Sequence, residues 1–369
     1  MRHALPTWAL LGLFACTTEA VRDGFDGATP DGGTASEGGT ATDPGPGIDD
    51  DGGSREASTT DPGAIDLDAV TPCDDALAVD GDAAAFAQAL GLCQRASESG
   101  PEWGLVEIDF RHHVGANAAP AADLQHGILS RFGDVLRPRE GARLGVLSTG
   151  YAREYNDEVA RDPFDEGKGF GVGVGEVPQA FGGADADAYD LINARLRIRV
   201  PTNAVGFSFD FDFHTGEWPS YVRSEYNDRF IVWMTDAAHP EGRNLTFDAQ
   251  DNPVTVNLGF FDRCVPGAVT GCSGDAPVQN AACVAGPGEL AGTGFGLLNQ
   301  GCSSTPNAVT RGGATGWLTT QAAVTGGEVI TIEFAIWDEH DANRDSLVLL
   351  DHFRWAATDV TPGTGRPPS

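Results

Sequence analysis

The chain has 369 residues, with 54 acidic against 23 basic side chains and a formal net charge of −31. So negative a surface argues against nucleic acid and anionic membrane surfaces as partners, and suits a soluble surface protein able to attract divalent cations. After the first residues no run of about 18 apolar residues occurs, so nothing later in the chain reads as a membrane span.

The N-terminus has a basic start (Arg2, His3) and an apolar stretch from Leu5 to Ala15, broken only by Pro6 and Thr7. This is too short to cross a bilayer as a stable helix but has the length of a signal-peptide core. It ends in Leu13-Phe14-Ala15-Cys16, the form of a lipoprotein signal with its lipobox. Residues 1–15 are therefore expected to be a lipoprotein signal peptide, and Cys16 the acylated first residue of the mature chain. Two or more acyl chains anchor a protein stably where one holds it only marginally.

Residues 16–72 read as a disordered acidic linker, rich in Gly, Asp, Thr, Ser and Pro. Such a segment cannot bury enough apolar surface to offset the entropy of ordering it. As a flexible coil it would span roughly 40 Å and lift the folded part off the membrane.

The folded domain is expected over 73–360, with a disordered tail at 361–369. A short helix begins after Asp82, which can cap it. Phe86 and Leu90 share its inner face and Gly91 stops it. Beyond it the pattern is that of strands. From Ala204 to Phe213, Phe207, Phe209, Phe211 and Phe213 alternate with Ser208, Asp210 and Asp212, with His214 next in that register, as in a strand with one buried side.

Arg195–Val200, Arg229–Thr235, Val329–Trp337 and Ser346–Trp355 are further strands, Trp337 and Trp355 ending two expected neighbours. Gly167–Gly175 is glycine-dense, but no helical pattern follows, so it reads as a loop and not a phosphate cradle. Many short strands with turn-rich spacers predict an all-β protein, an antiparallel β-sandwich of jelly-roll type with one short helix and long loops.

Setting Cys16 aside, six cysteines remain: Cys73, Cys93, Cys264, Cys272, Cys283 and Cys302. An even number in an exported chain reads as disulfides, and the absence of any C-x-x-C step disfavours zinc. Cys73 and Cys93 stand apart and are expected to pair. The other four allow three arrangements, of which Cys264–Cys272 with Cys283–Cys302 is the one expected.

Two stretches carry candidate chemistry. In Trp337–Asp351, oxygen side chains recur at Asp338, Asp341, Asn343, Asp345 and Asp351. The step through 341, 343 and 345 has the spacing of the first ligands of a calcium loop, and Ca²⁺ takes six to eight hard oxygens. It is not an EF-hand: Ser346 replaces the glycine and His352 the closing glutamate. A solvated turn capped by Asx hydrogen bonds is the alternative.

In Glu217–Asp228, aromatics alternate with acids and amides between two strands. Trp218, Tyr221 and Tyr226 suit stacking on a sugar ring, and Glu225, Asn227 and Asp228 suit hydroxyls or a metal; core and turn roles would equally account for them. Many carboxylates are present, but nothing in the sequence selects a catalytic pair. His112 and His113 lack ligand spacing to other histidines, and no Gly-x-Ser-x-Gly occurs.

Taken in order, Ala89-Leu90-Gly91-Leu92-Cys93, Val146-Leu147-Ser148-Thr149-Gly150, Val200-Pro201-Thr202-Asn203-Ala204, Tyr226-Asn227-Asp228, Gly292-Thr293-Gly294-Phe295, Gly316-Trp317-Leu318-Thr319-Thr320 and Asp345-Ser346 with Leu349-Leu350-Asp351 resemble the choice-of-anchor L family of bacterial surface proteins, in its myxobacterial lipoprotein form. The resemblance covers about 73–357. It implies a secreted, envelope-attached β-rich domain with a variable anchor and no established activity, so no catalytic residues carry over. One departure is Arg223, which stands where relatives often have a cysteine.

The expectation is a non-enzymatic, lipid-anchored protein of the cell envelope, at the outer membrane or cell surface. Its sandwich would bind polysaccharide or a neighbouring surface protein, aided by Ca²⁺. A polysaccharide-active hydrolase on a lectin-like scaffold and a structural envelope component without a ligand are the alternatives.

Overall fold

Apolar residues spaced by two build most of this protein, and they do so in two layers. The computed structural model describes residues 61–367 except 68, 115–123, 156–169, 178–186, 249, 251, 258–259, 275–276, 298–301 and 303–311. The expected leader, Cys16 and most of the expected linker lie outside the described residues.

Helix α1 (Ala83–Ala89) forms where expected: Asp82 accepts the Ala85 N–H at 2.9 Å, and Gly91 leaves the helix at φ 98°. In chain order the strands are β1 (Gly104–Arg111), β2 (His126–Leu129), β3 (Leu144–Ser148), β4 (Gly173–Glu176), β5 (Asp187–Arg199), β6 (Gly206–Thr215), β7 (Arg229–Thr235), β8 (Arg243–Asn244), β9 (Val269–Thr270), β10 (Gln279–Asn280), β11 (Gly313–Ala314), β12 (Leu318–Ala323), β13 (Val329–Glu339), β14 (Ser346–Ala356) and β15 (Gly363–Gly365).

One sheet has the order β1-β5-β13-β7-β8, with β4 also on β5. The other runs β15-β12-β6-β14-β3-β2, with β11 on β6. A separate ribbon pairs β9 with β10, and all these pairings are antiparallel. Successive strands β5, β6, β7 and again β12, β13, β14 alternate between the sheets, the crossing habit of jelly-roll sandwiches.

The phenylalanines of β6 fill the space between the sheets. Phe209 meets Phe334 of β13 edge-on at 5.2 Å, and Phe211 meets Phe230 of β7 at 5.0 Å. Each fully buried ring stabilises by roughly 2–3 kcal/mol. The opposite face of β6 was expected to meet solvent, yet Asp210, Asp212 and His214 are buried as well. A second apolar cluster covers that face, and its Phe132 and Phe295 rings lie against His214 at 5.3 and 5.5 Å. Strict alternation separates two kinds of neighbour; it does not by itself guarantee that one of them is water.

Four other expectations are corrected. Val329–Glu339 and Ser346–Ala356 are not neighbours in one sheet but belong to opposite sheets, so residues 340–345 cross the sandwich and do not form a hairpin turn. The ordered body starts before Cys73: Ile65 and Leu67 pack on the core, and Asn203 holds both the N–H and the C=O of Ile65 at 2.9 Å. It also runs past 360, because Gly363–Gly365 pairs with β12. An edge strand offers unpaired backbone groups, which a Gly-Thr-Gly segment satisfies without any apolar side chain. Within the glycine-dense 167–175 stretch, residues 173–175 form part of β4, while 167–169 lie outside the described residues.

Disulfides link Cys73–Cys93, as expected, but also Cys264–Cys283 and Cys272–Cys302 in place of Cys264–Cys272 and Cys283–Cys302. The β9–β10 ribbon explains the change. Its register pairs Thr270 with Gln279, which folds Cys283 back beside Cys264. Cys264 and Cys272 lie beyond opposite ends of the short strand β9, and each bonds to a different later segment.

Candidate functional site

Acidic side chains gather where the chain crosses between sheets at one end of the sandwich. Asp338 and Glu339 close β13, Asp345 precedes β14, Asp228 precedes β7, Glu217 follows β6 and Asp190 lies in β5. All six are nearly inaccessible, Asp338 and Asp345 at 0 % exposure and Asp228 at 1 %. A bulge in the β13–β5 ladder between Ile336 and Asp338 shifts the register just where Asp338 turns inward. Asp190, at φ 50°, sits opposite this irregularity.

Three of the six are answered by the protein. Glu339 takes a double contact from Arg229, and Asp190 accepts the Gly171 and Val172 N–H groups at 3.0 and 2.6 Å. Asp228 accepts the Ser346 hydroxyl at 2.5 Å and the Glu339 main-chain N–H, and shares a hydrogen bond with Asp338. Both oxygens of Asp338, both of Asp345 and one of Glu217 have no hydrogen-bond partner of normal geometry. Thr149 lies beside Asp338, but its Oγ1 accepts the Ser346 N–H at 2.9 Å and leans on Ser346 O at 3.4 Å. None of the ion pairs among the described residues reaches Asp228, Asp338 or Asp345.

Burial pushes Asp228 up to about 8, against the Ser346 hydrogen bond. Burial, then the charges of Asp228 and Asp345, holds Asp338 well above the usual carboxylate range. Asp345 is raised by burial and by Asp190 and Asp228. Glu217 is raised by burial and by Asp228 and Asp341, against Arg344. As placed, no group of three or more Asp, Glu, His or Cys side chains among the described residues could hold a metal ion.

The crossing segment faces outward as well. Asp341 accepts the Asn343 N–H at 2.9 Å, and His340 and Arg344 adopt φ 70° and 67°. Asp341, Asn343 and Arg344, with Glu217 and Tyr221, line a cleft of about 230 Å³. The Arg344 guanidinium stands 5.6 Å from the Tyr221 ring centre, and Tyr226 meets Tyr221 edge-on at 5.4 Å. A second polar cleft, of about 320 Å³, is lined by Asn227, Arg229, Asp248, Asn252, Pro253, Thr255 and Asn257.

The five oxygens expected to share one calcium loop therefore do not converge. Asp338 and Asp345 enter the buried cluster, and Asp341 and Asn343 border the cleft. Asp351 lies mid-strand in β14, where it accepts the N–H groups of Arg139, Glu140 and His352. An extended strand carries Asp351 roughly 20 Å from Asp345.

The expected ligand-binding set also divides. Trp218 is a core residue, stacked on Phe261 at 5.3 Å. Glu225 is exposed, Tyr221 lines the smaller cleft, Asn227 the larger, and Asp228 joins the buried acids. Arg223 ties this loop to the neighbouring ribbon through Gln279, Pro277 O and Thr270 O.

Asp190, Thr149 and Glu339 were not foreseen as site residues. A signal was nevertheless present: three segments that carry the family resemblance, 146–150, 226–228 and 345–346, meet here. Ser148 and Thr149 contact Ser346 O, Ser346 bonds to Asp228, and a Cβ on Gly150 would sit 2.0 Å from Asp345 Oδ2.

The fold and this end of it define an all-β, disulfide-bonded sandwich with a polar cleft above a buried acidic cluster. Comparison with models of known families, with curated proteins and with solved structures yields no match for the chain.

Proposed function

We propose that this protein is an exported, envelope-attached binding domain whose cleft at Glu217, Tyr221, Asp341, Asn343 and Arg344 takes a hydroxyl-rich ligand such as a surface polysaccharide. The carrying observation is the cleft's composition. One aromatic face, a guanidinium, an amide and two carboxyl groups crowd a space of about 230 Å³. Stacking on an aromatic ring combined with planar polar groups is how sugar hydroxyls and ring faces are gripped.

Export is supported by three disulfides, which persist in oxidising compartments. The lipobox-like Leu13–Cys16 and the resemblance to choice-of-anchor L proteins support attachment by acylation of Cys16. No helix among the described residues is long and apolar enough to cross a membrane.

Binding to immobilised glycans without product release is the expected result, with Tyr221→Ala weakening it about tenfold or more. Equal binding by wild type and Tyr221→Ala would move the ligand elsewhere. Palmitate labelling should appear in the wild type and vanish in Cys16→Ser; equal labelling of both removes the anchor.

Glu217 favours one second reading. A buried carboxyl raised above its ordinary range by burial and by another carboxylate is the pairing of a glycoside hydrolase. Reducing-sugar release that disappears in Glu217→Gln would replace binding by hydrolysis.

A further inference from the structure

The acids at the sheet crossing present a charge problem that the protein's own groups leave unsolved. Asp228, Asp338 and Asp345 are buried together, and the charges acting on them come from other acids. Removing even one uncompensated charge from water costs several kcal/mol. Hydrogen bonding relieves it only in part: Ser346 and the Glu339 N–H answer Asp228 and Thr149 leans on Asp338, while both oxygens of Asp345 have no partner. Ser346 donates to Asp228, Ser148 to Ser346 O at 3.0 Å, and Thr149 Oγ1 is taken by the Ser346 main chain. A shared proton would serve Asp228 and Asp338, which face each other, but would leave both oxygens of Asp345 unanswered.

We infer that Asp228, Asp338 and Asp345 bind a calcium ion, with oxygens of the 148–150 segment completing its shell. The donors are hard oxygens of high charge, as Ca²⁺ prefers. The enclosure disfavours Mg²⁺, which keeps several of its waters. Gly150 is the only residue type that fits against Asp345, so the segment is shaped to the carboxylate.

The ligands come from both layers. Asp338 lies in the first sheet and Asp228 leads into it, while Asp345 leads into the second and Thr149 follows β3 of the second. The ion therefore pins one sheet to the other. It also holds both ends of the segment that presents Asp341, Asn343 and Arg344 to the cleft. The site does not depend on what that cleft binds.

The test uses the full chain with calcium alone as the probe. Titration calorimetry should find one Ca²⁺ per chain, and EGTA should lower the Tm by several degrees. Terbium in place of calcium should show emission sensitised by Trp337, the neighbour of Asp338. Asp338→Asn/Asp345→Asn should lose at least about tenfold in affinity and any Tm response to calcium.

A wild-type Tm identical in Ca²⁺ and EGTA, without calorimetric binding, overturns the inference and leaves a protonated cluster. So does calcium binding that survives Asp338→Asn/Asp345→Asn yet is lost in Asp341→Ala, which would place the ion on the exposed turn. The wild-type comparison decides the matter even where the double variant fails to fold.

Discussion

Strand β14 passes two groups of buried carboxylates, and they are treated in opposite ways. Mid-strand, Asp210 and Asp351 are surrounded by donors. Arg139 Nε and His352 Nδ1 approach Asp210 at 3.0 and 3.1 Å, and the Thr319 hydroxyl at 2.5 Å. Asp351 accepts N–H groups from Arg139, Glu140 and His352. Burial raises Asp210, but these partners together outweigh it and hold the carboxyl below its ordinary range. Asp351, with backbone N–H groups only and burial against it, is pushed up to about 7.

At the start of the strand, Asp345, Asp338 and Asp228 meet no guanidinium or imidazole; a Ser346 hydroxyl and a Glu339 N–H reach Asp228, and both oxygens of Asp345 have no partner. Equal burial thus has two outcomes. Where folding itself delivers a guanidinium and an imidazole, the carboxylate is an internal strut. Where it delivers mainly more acid, burial and the neighbouring carboxylates hold the group above its ordinary range.

The sharpest way to break this contrast is to remove one member of each group. Asp210→Ala strands Arg139, His352 and Thr319 and should cost about 3 kcal/mol in urea denaturation. Asp345→Asn, measured in EGTA, should cost less than about 1 kcal/mol or stabilise, since it removes a repelling charge. Comparable losses from both would erase the distinction.

Gly150→Ala is expected to be next in size, at about 2 kcal/mol, because its Cβ would meet Asp345 Oδ2 at 2.0 Å. Its Tm should also cease to respond to calcium; an undiminished response would mean that Asp345 is not a ligand. Thr319→Val removes one hydrogen bond to Asp210, for about 1 kcal/mol, and should leave the calcium response intact.

The smallest effect is one of pH. His352 is raised above its ordinary 6.5, chiefly by its hydrogen bond to Asp210, so its contribution is full below 6.5 and fades as pH rises through the elevated value. Asp210 is lowered below 3.8, so its contribution is full above 3.8 and fades only as pH falls through the lower value. The pair is therefore most effective between those limits, with Arg139, Asp351, Asp74, Glu140 and Arg354 as the other charges nearby. His352 is half-exposed, so the Tm difference between wild type and His352→Gln should be small, greatest in mildly acid buffer and nearly absent at alkaline pH. A difference that grows with pH would reverse the assignment.

Much of the sandwich was legible before any coordinates. The β7 limits agree with Arg229–Thr235, and the Asp82-capped helix and the Cys73–Cys93 bond also stand where expected. Strand β5 was seen only in its second half. Its middle, Asp190–Ala194, is buried on both faces, so no alternation marks it. The candidate site was legible only in fragments. Asp338, Asp345 and Asp228 were each noticed, but in two unrelated sets. The calcium-loop spacing drew attention to Asp341, Asn343 and Asp351, which the fold sends elsewhere.

The chain's order of residues by itself determined the all-β class, the capped helix and the fact of internal disulfides. These rest on local physics: a side-chain period of two, a cap within one turn, and the chemistry of paired thiols. Only the tertiary structure decided which cysteines join and which carboxylates meet. Ser346 and Asp228 are 118 residues apart, and Thr149 and Ser346 197 apart. Thr149 meets Ser346 because β3 pairs with β14, and Asp228 meets it because the chain crosses from one sheet to the other between β13 and β14; both are choices of packing and pairing, invisible in any stretch of sequence short enough to carry a motif.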